Sequence, residues 1–96
     1  MSVGQTILEQ LGGNKFRAMT GATSFSTDGN NLTFRIGRNE KKVNAVRITL
    51  MPSDTYKMEF LGIRNLSVKT ISKVDNVYCD MLQEIFTNHT GMYTSL

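Results

Sequence analysis

The chain has 96 residues, 40% hydrophobic and 20% charged, with 11 lysines and arginines against 8 aspartates and glutamates for a net charge of +3. That makes one domain, residues 1-96, with a single core and no room for a second. One cysteine excludes an internal disulfide, one cysteine with one histidine is too few for a four-ligand zinc site within one chain, and no apolar run approaches the roughly 20 residues of a membrane span.

Ser2 with Gln5 fits a capping box, in which the serine oxygen takes a helix amide and the glutamine returns to the cap. Val3, Ile7, Leu8 and Leu11 then form one stripe, and Gly12-Gly13 supplies the left-handed backbone that closes a helix. From Asn14 to Val74 the period falls to two. Five alternating runs, KFRAMT, LTFRIG, AVRITLM, YKMEFL and LSVKTI, predict strands at Lys15–Thr20, Leu32–Gly37, Ala45–Met51, Tyr56–Leu61 and Leu66–Ile71. Turn residues separate them at Asp28 to Asn31, Gly37 to Lys42, Met51 to Asp54 and Gly62 to Asn65. Links this short favour an antiparallel meander. The longer first link, Gly21 to Asn31, carries Phe25 and reads either as a segment folded back over the core or as a mobile one.

The last element is the strongest periodic signal. Val77, Tyr78, Met81, Leu82, Ile85, Phe86 and His89 share one side of a helix over Asn76 to His89, with Asp80, Gln83, Glu84 and Thr87 opposite. The predicted fold is therefore α+β, a two-layer sandwich: an N-terminal helix, an antiparallel meander of about five strands, and a C-terminal amphipathic helix packed on one sheet face.

Splitting the strands by parity supports that arrangement, because neighbouring side chains on a strand point to opposite faces. One parity collects Phe16, Ala18, Thr20, Leu32, Phe34, Ile36, Val46, Ile48, Leu50, Tyr56, Met58, Phe60, Leu66, Val68 and Thr70, without a charge. The other collects Arg17, Met19, Thr33, Arg35, Arg47, Thr49, Lys57, Glu59, Leu61, Ser67, Lys69 and Ile71. This second face is basic. A solvated sheet face needs such residues, and they also guard against edge pairing. Alternatively Arg17, Arg35, Arg47, Lys57 and Lys69, with Arg38, Lys41 and Lys42 in the adjoining hairpin, offer a track for a phosphate backbone or a surface for an acidic protein. No aromatic side chain interleaves the cations, so single-stranded bases find no stacking platform.

Catalytic patterns are weak. Cys79 reads as a half-buried inert thiol, and His89 as a cation at the negative end of the helix. Ten residues of helix separate them by about 15 Å, which excludes a dyad. Asp54 and Glu59 are isolated carboxylates, and Gly12-Gly13-Asn14-Lys15 follows a helix where a phosphate-cradling loop precedes one. Thr94-Ser95-Leu96 formally matches a C-terminal ligand of strand-addition domains, a pattern common by chance. A helix–sheet–helix order also invites comparison with the double-stranded-RNA-binding domain, but the acidic start Asp75-Asn76-Val77-Tyr78-Cys79-Asp80 stands where that family presents lysines.

The segments Ile7 to Ala22, Ile48 to Arg64 and Val77 to Leu96 resemble a family of small uncharacterised proteins encoded by bacteriophages and prophages. The resemblance implies expression in a bacterial host cytoplasm, and it carries no activity, cofactor or site residues. The expected function is that of a non-enzymatic accessory protein binding, and inhibiting or modulating, a host or viral protein. The alternative is a nucleic-acid-associated protein using the basic face. No cofactor or metal is expected. Met19, Met51, Leu61 and Ile71 on or near the open face leave both a monomer and a homodimer open.

Overall fold

The computed structural model describes residues 3–37, 39, 41–64 and 67–92. Ser2 of the expected capping box, Arg38, Leu66 and the Thr94 to Leu96 tail lie outside them. Helix α1 (Val3–Leu11) buries Gly4, Ile7 and Leu11. Gly12 and Gly13, at φ 126° and 59°, close it: their amides donate to Glu9 and Leu8 carbonyls at 3.1 and 3.0 Å, in the left-handed backbone that a side chain resists.

The chain then turns into a second helix where a strand was expected. Helix α2 (Asn14–Thr20) contains the whole KFRAMT run. Six residues are too few for hydrophobic period to choose between helix and strand. What decides is burial at Phe16 and Thr20, four apart, with Ala18 between them exposed. The Thr20 hydroxyl donates back to the Phe16 carbonyl at 2.7 Å, and Gly21 at φ 67° closes the helix through its amide to the Arg17 carbonyl.

The first strand, β1 (Thr23–Asp28), falls inside the segment read as a link. Its polar sequence suits its place at one margin of the sheet, and a register shift between Thr23 and Ser26 with Ser24 at φ 57° kinks that edge. Phe25 does fold onto the core, its ring 5.4 Å from that of Phe34.

Strands β2 (Asn31–Arg35), β3 (Ala45–Leu50), β4 (Tyr56–Arg64) and β5 (Ser67–Val77) follow, giving a five-stranded sheet in the order β1-β2-β3-β4-β5 with every pair antiparallel. Gly62 to Arg64, read as the start of a turn, continue β4. Across the sheet, Leu32, Ile48, Met58 and Val74 stand opposite one another, as do Phe34, Val46, Phe60 and Ser72. These rows carry the helices. Phe16 of α2 meets Phe34 and Phe86 edge-on at 5.4 and 5.1 Å, a geometry that adds to plain area burial.

The C-terminal helix is shorter than its periodicity implied. Asn76 and Val77 end β5, a 3-10 turn (Cys79–Met81) follows, and α3 runs Leu82–Thr90. Val77 is buried as expected, but as a strand residue, and Tyr78 is 59% exposed. Leu82, Phe86 and Thr90 form the buried stripe of α3, and Ile85 packs against the core at its margin. Inward parity also fails in β5. Register shifts opposite Tyr56/Met58 and Phe60/Leu61 each add one residue to β5, so Val68, expected inside, is 63% exposed and Thr70 is exposed with it. Among the described residues no helix is long and apolar enough to cross a membrane.

Two outcomes follow from this packing. Leu82→Ala removes a fully buried side chain and should lower unfolding free energy by about 2–5 kcal/mol, whereas Ile85→Ala should cost less; urea denaturation measures both. Tyr56 donates its hydroxyl to Gln10 Oε1 at 2.9 Å, and burial, then the nearby Cys79 and Asp54, raise its pKa above the ordinary value. A raised folded pKa means that Tyr56 contributes fully below the unfolded tyrosine value of about 10 and loses its contribution as pH rises through the folded value. Stability should therefore fall in that alkaline window, and Tyr56→Phe should flatten the fall.

A candidate anion-binding cleft

Between β2 and β3, two asparagines tie described residues to one another and to β4. Asn39 Nδ2 donates to the Gly37 and Val43 carbonyls at 3.0 and 2.7 Å, while its Oδ1 accepts the Val43 amide at 3.1 Å. Lys42 takes a left-handed conformation at φ 61°, and its amide donates to the Asn39 carbonyl at 3.2 Å. Asn44 fastens the end of the segment to β4: its amide donates to the Leu61 carbonyl at 2.8 Å and its Oδ1 accepts the Ile63 amide at 2.8 Å.

Beside this clip, β4 and β5 run on together to Arg64 and Ser67. Asn39, Lys41, Lys42, Val43 and Asn44 on one side, and Gly62, Ile63, Arg64, Lys69 and Ile71 on the other, line a cleft of about 760 Å³. Gly62 makes room for Ile71 in its floor, since a Cβ there would come within 3.0 Å of Ile71 Cδ1. Every charged side chain among the described lining residues, Lys41, Lys42, Arg64 and Lys69, is basic. Such a concentration of one sign over an aliphatic base attracts anions. Gly62 lies two residues beyond the buried Phe60 and opposite Lys69, so the cleft is on the helix side of the sheet, not across from the helices.

The expected basic face is thereby divided. Lys41, Lys42 and Lys69 come together, and Arg64, which the parity analysis did not single out, joins them. Arg35, Arg47 and Lys57 stay on the outer face, where the row Thr33, Arg47, Glu59, Lys73 sets a carboxylate between two cations, and Arg47 shares a smaller groove with Asp28. Arg17 sits on α2, its guanidinium 5.2 Å from the centre of the Phe25 ring, a cation–π contact on the helix side. Arg38 lies outside the described residues.

The catalytic candidates have structural surroundings. His89 stacks on Phe60 with ring centres 4.8 Å apart and planes 8° from parallel, and its Nδ1 is 2.9 Å from Ser72 Oγ. A serine this close to an imidazole is half of a nucleophile arrangement, but the stacked ring and its hydrogen bond clamp α3 to β5. Cys79, expected half-buried, is exposed in the 3-10 turn. Among the described residues no group of three or more His, Cys, Asp or Glu side chains is placed to hold a metal ion.

No protein-family model, curated protein or solved structure matches this chain.

The clip makes a direct prediction. Asn39→Ala deletes three part-buried hydrogen bonds and should cost about 1–3 kcal/mol in chemical denaturation, with amide exchange quickening at Val43 while the Phe60 and Met58 amides stay protected.

Proposed function

We propose that this is a non-enzymatic binding module, an accessory protein of a phage or prophage acting in the bacterial cytoplasm, that takes hold of a host or viral protein through an acidic segment. The observation that carries the reading is the cleft itself: Lys41, Lys42, Arg64 and Lys69 line one hollow together with the exposed Ile71.

The lining favours protein over nucleic acid. A phosphate backbone would meet the same four cations, but bases would meet Ile71 instead of an aromatic ring, and stacking supplies much of the affinity for single strands. The cations of the outer face, which would extend a phosphate track, alternate with Glu59 and Asp28. An acidic polypeptide carrying aliphatic side chains satisfies both halves of the lining, its carboxylates meeting the cations and its apolar groups the base.

Capture from bacterial lysate on the immobilised protein checks this. Wild type should retain a protein that the double variant Lys41→Glu/Lys69→Glu releases, its affinity lowered about tenfold or more, while the thermal unfolding of the variant stays close to wild type because both side chains are exposed. Retention of DNA or RNA instead, weakening steeply between about 50 and 200 mM salt, would reassign the cleft to nucleic acid.

A further inference from the structure

The cleft has an open side. β5 is the last strand in the sheet order, so among the described residues nothing pairs with its outer edge, and Ser67 to Ile71 are all exposed. The direction of the backbone along that edge follows from the pairing. The Leu61 carbonyl accepts the Asn44 amide, so Leu61 turns its backbone groups toward β3. Successive strand residues alternate in this respect, so Gly62 turns toward β5, where Lys69 is its partner. Lys69 thus spends its backbone groups on β4, and its neighbours Val68 and Thr70 direct theirs outward. Two amides and two carbonyls are presented in the spacing of a ladder.

The side chains of the same stretch divide in the complementary way. Lys69 and Ile71 line the cleft, while Val68 and Thr70, of opposite parity to Lys69, belong to the outer face. We infer that this edge accepts an extended segment of the partner protein as a sixth strand, pairing with the Val68 and Thr70 backbone and alternating acidic with β-branched residues, its carboxylates directed to Lys69 and the cleft. The inference rests on the cleft's taking an acidic polypeptide. Residues directly opposite in a ladder share a face with their Cβ atoms about 4.5–5.5 Å apart, so an acid opposite Lys69 enters the cleft. The residues on either side of it lie against Val68, 63% exposed, and Thr70.

Charge argues against a second copy of this chain as the occupant. Joining two copies along β5 brings two sets of Lys41, Lys42, Arg64 and Lys69 toward one another with no carboxylate among the described lining residues to separate them. A lysine on an edge strand is also a common guard against self-pairing. Here the residue that repels another copy selects an acidic segment.

The test uses the full chain and a short synthetic peptide alternating glutamate with valine and threonine, with a lysine-for-glutamate peptide as control, followed by fluorescence anisotropy. Two further peptides carry backbone N-methyl groups at the odd or at the even residues. Proline at an outward-facing edge position costs no existing ladder bond, so Val68→Pro removes one docking donor and leaves the sheet intact. The acidic peptide should bind and the basic one should not. Val68→Pro, Lys69→Glu and one of the two methylation patterns should each weaken binding about tenfold or more, the other pattern leaving it unchanged. Should Val68→Pro fail to fold, the contrast between the methylation patterns decides alone. Equal binding of both methylated peptides, together with loss in Lys69→Glu, overturns strand addition and leaves the cleft reading standing. Absence of acidic-peptide binding to wild type overturns both. A wild-type dimer in sedimentation without peptide, dissociated by Val68→Pro, gives the edge to a second copy and overturns the inference.

Discussion

A pleated strand must send alternate side chains to opposite faces, and most of this molecule depends on how β5 escapes that rule. It has 11 residues where its partner β4 has 9. The surplus is absorbed in two one-residue shifts, one beside Asn76, which takes a left-handed φ of 58°, and one at Ile71. Inward positions therefore change parity along the strand, from Lys69 to Ser72 and Val74 and then to Val77. The second shift hands Val74 and Ser72 to the core, where Ser72 meets His89. It also turns Lys69 to the cleft side and Val68 to the outside. Without the shift at Ile71, the parity that places Ser72 and Val74 inside would turn Lys69 to the outer face, away from Lys41 and Lys42.

The cleft is stiff for reasons independent of its charges. Asn39 and Asn44 bind backbone groups on both sides of Lys42 and Val43, Val43 itself is buried, and Gly62 lets the Ile71 side chain pack close against the strand. Side chains held on such a frame lose less freedom when a partner arrives, which favours affinity from a small area. The same hydrogen bonds hold Lys41 and Lys42 to the side of the cleft facing Arg64 and Lys69 in the free protein.

The fold class was legible in the sequence because it rests on redundant signals. Rows such as Leu32, Ile48 and Met58 repeat the same alternation, and the Leu82, Phe86 stripe is helical at whichever residue the helix begins. Boundaries were harder. KFRAMT alternates well enough for a strand, but α2 is decided by tertiary burial of Phe16 and by Gly21, and six residues of pattern contain neither. TSFSTD shows little alternation of burial because a sheet margin needs little. The Val77, Tyr78 pair extended the helical pattern backward by coincidence: Val77 is buried for a strand's reason. At the site, Lys41, Lys42 and Lys69 were identifiable as cations, but their grouping depends on the bulge at Ile71, which no local residue announces. Arg64 was missed because Gly62 and its neighbours looked like a turn, and a turn conveys no direction for a side chain.

The core is also closed across the length of the chain. The meander consists of neighbours in sequence, yet the last carbonyl of α1 at Leu11 is capped by Gln83 Nε2 at 2.8 Å, and Phe16 finds its edge-on partner in Phe86. During synthesis the sheet can pair hairpin by hairpin as it leaves the ribosome, since local contacts form early. The two N-terminal helices meanwhile wait with Leu11 and Phe16 short of their partners until residues 82–90 emerge. A chain released without residues 82–90 would therefore carry the sheet with part of its apolar face uncovered, the kind of surface that chaperones bind, and the same basic cleft beside it.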